Sequence, residues 1–216
     1  MKKRISTILA VLLFSIMFLN SYKVEVFAKN ITTKKCSSES AVDLRINQRK
    51  LWQDHVLWTR SFIVSDIAEL EDKDKVLERL LRNQDEIGAS IKPYYGEEAS
   101  NKLASLLREH ISLAGQVVDA AKSSNKEDLD KYNKLWYENA DQIVNALSSL
   151  NPKWSKKELK DFMYKHLQFI TDQTVARLNK DWKADIDAYD KGQDHMLKFA
   201  DVISKGIIEQ FPDKFK

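Results

Sequence analysis

Apolar side chains recur every three or four residues from about residue 41 onward, which is the spacing that places them on one face of an α-helix. The pattern is interrupted by Pro93, Pro152 and Pro212, which lie 59 and 60 residues apart. Proline disfavours a helical conformation in the residue before it and has no N–H to donate, so each proline should end a helix. A second, polar interruption lies near the middle of each segment that a proline closes. The pattern therefore predicts two helices per segment, six in all.

These six helices would form three tandem antiparallel hairpins, at residues 41–96, 97–154 and 155–216. A period of about 57 residues with the same two-helix plan predicts an internal repeat. A lone hairpin cannot bury its apolar face, so the three should pack together. We therefore expect one bundle-like, all-α domain over residues 41–216.

Composition agrees with a helical fold. The 216 residues include only five glycines and three prolines, too few for the many tight turns of an all-β sandwich or barrel. The single cysteine, Cys36, cannot form an internal disulfide, and one cysteine is not enough for a structural zinc cage.

The N-terminus has the pattern of a secretory signal. Residues 2–4 are basic, residues 5–19 are apolar, and Ala28 follows as a small residue at a cleavage site. An apolar helix of this length spans roughly 22 Å, less than a hydrocarbon core of ~30 Å, so a retained membrane anchor is the weaker alternative. We predict a signal peptide at residues 1–28, a flexible linker at residues 29–40, and a secreted or cell-envelope protein with no stable membrane span.

Removal of the signal changes the charge. Residues 1–28 hold four of the 35 basic side chains and one of the 32 acidic ones, so the mature chain would carry no net charge. The electrostatic attraction that drives nucleic-acid binding is then missing, and we expect no nucleic-acid partner.

Three of the four histidines recur with the period of the predicted repeat. His55, His110 and His166 are separated by 55 and 56 residues, and each lies within the apolar stripe of its helix. We therefore expect all three imidazoles to point into the core.

Three aspartates recur on the return helices. Asp85, Asp141 and Asp201 are 56 and 60 residues apart, and the midpoint between each aspartate and its histidine falls at a predicted hairpin turn. An antiparallel hairpin would bring each pair to the same height, so the six groups would form one polar layer across the domain.

Imidazole and carboxylate groups together suit zinc, iron or manganese. The sequence therefore predicts a transition-metal site with His55, His110 and His166 as ligands, and with the three aspartates as ligands or as groups that orient the imidazoles. One alternative is a metal-free interaction module of the cell envelope, in which neutral core histidines hydrogen-bond locally and the surface binds a protein partner. Another is a hydrolase that uses the metal to lower the pKa of a bound water. Whether the chain is an enzyme stays open.

Helical geometry leaves the role of the aspartates open as well. The apolar stripes of the return helices centre on Asn83 and Asn139, and residues two apart point to nearly opposite sides of a helix. Asp85 and Asp141 could therefore face a neighbouring hairpin or solvent.

Three further polar residues are candidates. His195 lies outside the repeat and could be a fourth ligand or a surface histidine. Arg60 and Arg177 could bind a buried carboxylate or an anionic ligand, or could cover apolar surface with their stems.

Four segments of the chain carry a resemblance to a known family. They are LWQDHVLWTR at residues 51–60, PYYG at 93–96, WYENAD at 136–141 and NPKW at 151–154. With these segments the chain resembles a family of exported, all-helical bacterial proteins that has no established activity. The resemblance covers most of the mature chain and implies an exported helical fold, but it implies nothing about mechanism.

Overall fold

The computed structural model describes residues 38–216, which contain five α-helices and a short 3₁₀ helix. The helices are α1 (Glu39–Ile67), α2 (Lys73–Lys122), α3 (Lys126–Leu150), α4 (Lys156–Leu178) and α5 (Trp182–Gln210), followed by the 3₁₀ turn Pro212–Phe215. Residues 38–216 contain no β-strand. The all-α prediction is confirmed, but the number of helices is five rather than six. The predicted signal peptide at residues 1–28 and Cys36 lie outside the described residues.

The missing boundary lies at Pro93, where we expected one helix to end. α2 continues through Pro93, and only Gly96 departs from helical backbone, with φ 82° and ψ 179°. Glycine adopts a positive φ at little cost because it has no Cβ. The chain reverses here, since Arg108 Nη1 donates to Asp85 Oδ2 at 2.8 Å across the break. The two arms of α2 therefore lie side by side and are joined at Gly96 with no intervening loop.

Four helices are preceded by a residue whose side chain caps the first turn. It accepts a hydrogen bond from the backbone N–H of the residue three positions later. These side chains are Ser38, Asn125, Ser155 and Asp181. Each of them satisfies one of the unpaired N–H groups of a first helical turn. The cap at Ser38 starts α1 at Glu39, so residues 39 and 40 of the predicted linker belong to the helix.

The core lies between the five helices. Each helix packs against the next one along the chain, and α5 also packs against α1. The side chains that fill this space are almost wholly buried, among them Leu80, Ile143, Leu159, Phe199 and Ile207. Within residues 38–216, no helix combines the length and the apolar character needed to cross a membrane.

The contact between Gly206 and Trp154 gives a test of this packing. Trp154 is buried against α5 and donates from Nε1 to the carbonyl oxygen of Val202 at 3.3 Å. A Cβ added at Gly206 would overlap the Trp154 ring. We expect Gly206→Ala to lower the free energy of unfolding by about 1–3 kcal/mol, as overpacking does in well-packed cores.

Gly192→Ala is the matched control in the same helix. Its Cβ would meet Phe169 at 3.5 Å, which is ordinary van der Waals contact. We expect this variant to gain about 0.4–1 kcal/mol because alanine restricts the unfolded chain more than glycine does. Urea denaturation of both variants measures the difference, and equal effects would contradict the packing at Trp154.

Candidate functional site

The three recurring histidines meet in the core. His55 on α1, His110 on α2 and His166 on α4 are each 4% exposed or less. The ring centroids of His55 and His166 are 5.5 Å apart, and those of His110 and His166 are 6.2 Å apart. The structure thus brings together imidazoles from three helices that are distant in sequence.

His110 has a protein partner at both ring nitrogens. The Trp136 indole donates from Nε1 to His110 Nε2 at 3.1 Å, so Nε2 is unprotonated. The proton therefore sits on Nδ1, which donates to Asn139 Oδ1 at 2.8 Å. His110 is a neutral imidazole with both nitrogens occupied.

One hydrogen bond occurs at the same place beside each of the three histidines. In every case a side chain of the following helical segment donates to the backbone carbonyl four residues before the histidine. The donors are Asn83 to Leu51 at 3.1 Å, Asn139 to Leu106 at 3.1 Å, and His195 to Phe162 at 2.8 Å. His195 is half-buried and uses Nε2–H for this bond, so the structure places it neither on the open surface nor among the three imidazoles.

His55 and His166 lack the partners that His110 has. Nδ1 of each is buried without a hydrogen-bond partner among residues 38–216. Beside His55, the Asn83 oxygen already accepts from Gln84 Nε2 at 3.2 Å. For His166, the residue of α5 that lies two positions before the recurring aspartate, as Asn139 does, is Phe199, whose side chain has no polar atom. His195, which makes the carbonyl contact in place of an asparagine, donates to Phe162 and not to His166. Two buried nitrogens therefore stay unpaired in the middle of the core.

Burial keeps the three imidazoles neutral. Desolvation, with a smaller contribution from the repulsion that a protonated His110 would exert, lowers the pKa of His55 to about 4, and an interaction with the Gln84 side chain offsets only part of this shift. Desolvation also lowers the pKa of His110 to about 4. The pKa of His166 lies well below its usual value because of desolvation and, after that, because of the repulsion that protonated His55, His110 and His195 would exert. No carboxylate contributes to any of these shifts.

The structure does not bring Asp85, Asp141 and Asp201 to the histidines. Their side chains are 41–52% exposed and pair with cations at 2.6–2.9 Å. Their respective partners are Arg108, Lys160 and Arg49. The predicted polar layer is therefore divided into a buried imidazole cluster and a set of surface ion pairs. The physical reason is rotation about the helix, since each aspartate lies two positions after a buried, inward-facing residue and therefore points outward. These inward-facing residues are Asn83, Asn139 and Phe199.

The ligand set predicted from sequence is accordingly not assembled. No three histidine, cysteine, aspartate or glutamate side chains within residues 38–216 are placed so that they could hold one metal ion. His55 and His166 remain as the two members of that set whose Nδ1 atoms are free.

A buried charge cluster lies at the ends of α1, α4 and α5. Arg60 donates to both carboxylate oxygens of Asp185, at 2.6 and 3.1 Å, and Arg177 donates to Oδ2 at 3.0 Å. Asp185 is 1% exposed. Burial raises its pKa, but the hydrogen bonds and charge of Arg60 and the bond from Arg177 outweigh this effect and lower it. Of the alternatives left open for these two arginines, the structure shows the binding of a buried carboxylate.

Sequence reasoning did not identify Asp185 as that carboxylate. It lies in the first turn of α5, where an acidic residue is expected simply because it stabilises a helix N-terminus. Its neighbours in the sequence therefore carry no signal of the two arginines.

No protein-family model, curated protein or solved structure matches this chain. The family resemblance described above therefore stays a prediction.

Proposed function

We propose that this chain is an exported helical protein that binds a transition-metal ion in its core, with His55 and His166 as ligands. The observation that supports the proposal is the pair of unpartnered Nδ1 atoms on adjacent buried rings. A buried polar atom without a hydrogen bond costs about 1–3 kcal/mol. A bound ion would remove that penalty at both nitrogens.

His110 provides an internal comparison for this proposal. It lies in the same cluster, yet both of its nitrogens are hydrogen-bonded to protein groups. The core can therefore satisfy an imidazole through side chains alone, and it does not do so for His55 and His166. In the proposal His110 positions its neighbour His166 by ring contact and is not a ligand.

The separation of the two rings fits a shared ion. Metal–nitrogen bonds of ~2.0–2.1 Å would place the centroids of two coordinating imidazoles roughly 5–6 Å apart. The centroids of His55 and His166 are 5.5 Å apart. The proposal also keeps the tandem arrangement of three hairpins, because duplication would explain why three histidines occupy the same place in the core.

Metal analysis of the purified protein tests the proposal. We expect one equivalent of metal per chain after equilibration with Zn²⁺ or Co²⁺ and desalting. The Co²⁺-loaded protein should show visible absorption bands of the kind that nitrogen ligands produce. His55→Asn and His166→Asn should each abolish the bound equivalent. His195→Asn is the matched control and should retain it, because His195 bonds to the Phe162 carbonyl outside the imidazole pair. A protein that binds neither Zn²⁺, Co²⁺ nor copper(I) would contradict the proposal.

A metal-free interaction module is the second candidate. It is favoured by the absence, within residues 38–216, of three acidic, cysteine or histidine side chains around one point. In this case buried water molecules would pair the two Nδ1 atoms, and the surface would bind a partner. The experiment above separates the two functions, because His55→Asn and wild type would then show the same metal content.

A metal-dependent hydrolase is less well supported than either. Two clefts of about 460 and 490 Å³ lie on the surface of the described chain. Their walls include Leu103, Leu147, Phe169 and Ala188, and none of the histidines lines either cleft. A substrate in these clefts would not reach the imidazole cluster.

A further inference from the structure

A methionine lies at the level of the unpaired imidazoles. The Phe199 ring on α5 contacts Trp52 on α1 and Phe162 on α4, with centroids 4.9 and 5.7 Å apart. Contacts along these helices show that α5 runs antiparallel to α1 and to α4. Against α1, the pairs Arg49–Asp201 and Arg60–Asp185 show that residue numbers fall along α5 as they rise along α1. Against α4, the contact Phe162–Phe199 and the ion pair Arg177–Asp185 show the same.

The position of Met196 follows from these contacts. Met196 lies one turn before Phe199, so in antiparallel packing it is level with residues one turn after Trp52 and Phe162. Those residues are His55 and His166. Met196 is 1% exposed, so its thioether lies inside the core. Three helices thus supply two imidazoles and one thioether at the same height.

The charge of the surroundings restricts the ion. The causes of the three lowered histidine pKa values include no carboxylate. The two fully buried acids among residues 38–216 are already paired, Asp66 with Lys73 at 3.1 Å and Asp185 with the arginines. The free energy needed to bury an ion without a counter-charge rises with the square of its charge, so a monovalent ion is favoured over a divalent one.

The ligand atoms restrict it further. Thioether sulfur is a soft ligand that selects copper(I), and imidazole nitrogen suits copper as well. We infer that the core binds one copper(I) ion through Nδ1 of His55, Nδ1 of His166 and Sδ of Met196. This inference rests on the proposed function and specifies its ion.

Competition for copper(I) tests the inference on the full chain. Under anaerobic conditions, the protein is titrated into a chromophoric copper(I) chelator, and the loss of chelator absorbance gives affinity and stoichiometry. We expect one copper(I) per chain. Met196→Leu should weaken copper(I) binding by roughly tenfold or more while leaving Co²⁺ binding unchanged. Met163→Leu, a buried methionine one turn before His166 on α4, is the matched control and should bind copper(I) as the wild type does.

Thermal melts and X-ray absorption separate loss of the thioether ligand from loss of the fold. Thermal melts should show both leucine variants folded, because the exchange conserves volume. X-ray absorption of the copper-loaded protein should show nitrogen and sulfur neighbours, with sulfur lost in Met196→Leu. If Co²⁺ or Zn²⁺ binds at the histidines and the affinity for copper(I) is no higher than for these ions, this inference is overturned and the proposed function stands. The same holds if Met196→Leu does not change the affinity for copper(I). If no ion binds, both are overturned.

Discussion

Asp185→Ala should lower the free energy of unfolding by about 3–5 kcal/mol, the range expected when one partner of a buried ion pair is removed. Asp185 is buried, and its carboxylate receives hydrogen bonds from Arg60 and Arg177. Without it, two mostly buried guanidinium groups would face each other with no counter-charge between them. We expect urea unfolding, followed by tryptophan fluorescence, to show a much lower midpoint with little change in slope.

Asp201→Ala is the control for this prediction. Asp201 also pairs with an arginine on α1, Arg49, at 2.6 Å, but both side chains are nearly half exposed. Exposed ion pairs contribute about 0–1 kcal/mol because water screens them. If the two alanine variants lost the same free energy of unfolding, burial would not explain the contribution of Asp185 to stability.

Acidification should destabilise the protein before most of its carboxylates titrate. The pKa of His55 and of His110 is about 4 in the folded chain, against a usual value of 6.5. The unfolded chain therefore binds more protons between these values, so stability is fully present above pH 6.5 and is lost as pH falls toward 4. At about 1.4 kcal/mol per pKa unit, each of these two histidines accounts for roughly 3 kcal/mol by pH 4.

The measurement is the free energy of unfolding at several pH values between 7.5 and 4.5. We expect a positive slope against pH across this range, with His166 adding to it because its pKa is lowered in the same direction. Replacing one imidazole with a group that does not titrate, as in His166→Asn, should reduce the slope between pH 6.5 and 5.5. An unchanged slope in this variant would show that the buried cluster does not control acid stability.

The helices could be predicted because their signals are local. Apolar spacing and its polar interruptions are read from neighbouring residues, and the structure has helices beginning at local caps such as Ser155 and Asp181. The number of helices is five rather than six because the chain leaves helical backbone only at Gly96, so no loop separates the two arms of α2. A proline near a sharp turn can be accommodated when one glycine, Gly96, takes the non-helical conformation.

The candidate site could be predicted only in part. The burial of His55, His110 and His166 follows from their place in the apolar stripes, and the structure places all three in the core. The aspartates share the period of the histidines but not their face of the helix, so equal spacing along the sequence did not make them neighbours. A period locates residues along a helix axis, whereas a contact also depends on rotation about that axis.

The sequence by itself determined that the described chain is helical and that three histidines face inward, because both properties depend on residues within a few turns of one another. Only the tertiary structure decided which polar atoms meet. Asn139 and Trp136 occupy both nitrogens of His110, while His55 and His166 have no such partners. Whether a hydrogen bond forms depends on differences of a few tenths of an ångström in the separation of donor and acceptor, and for helices far apart in sequence the packing of the whole core sets that separation.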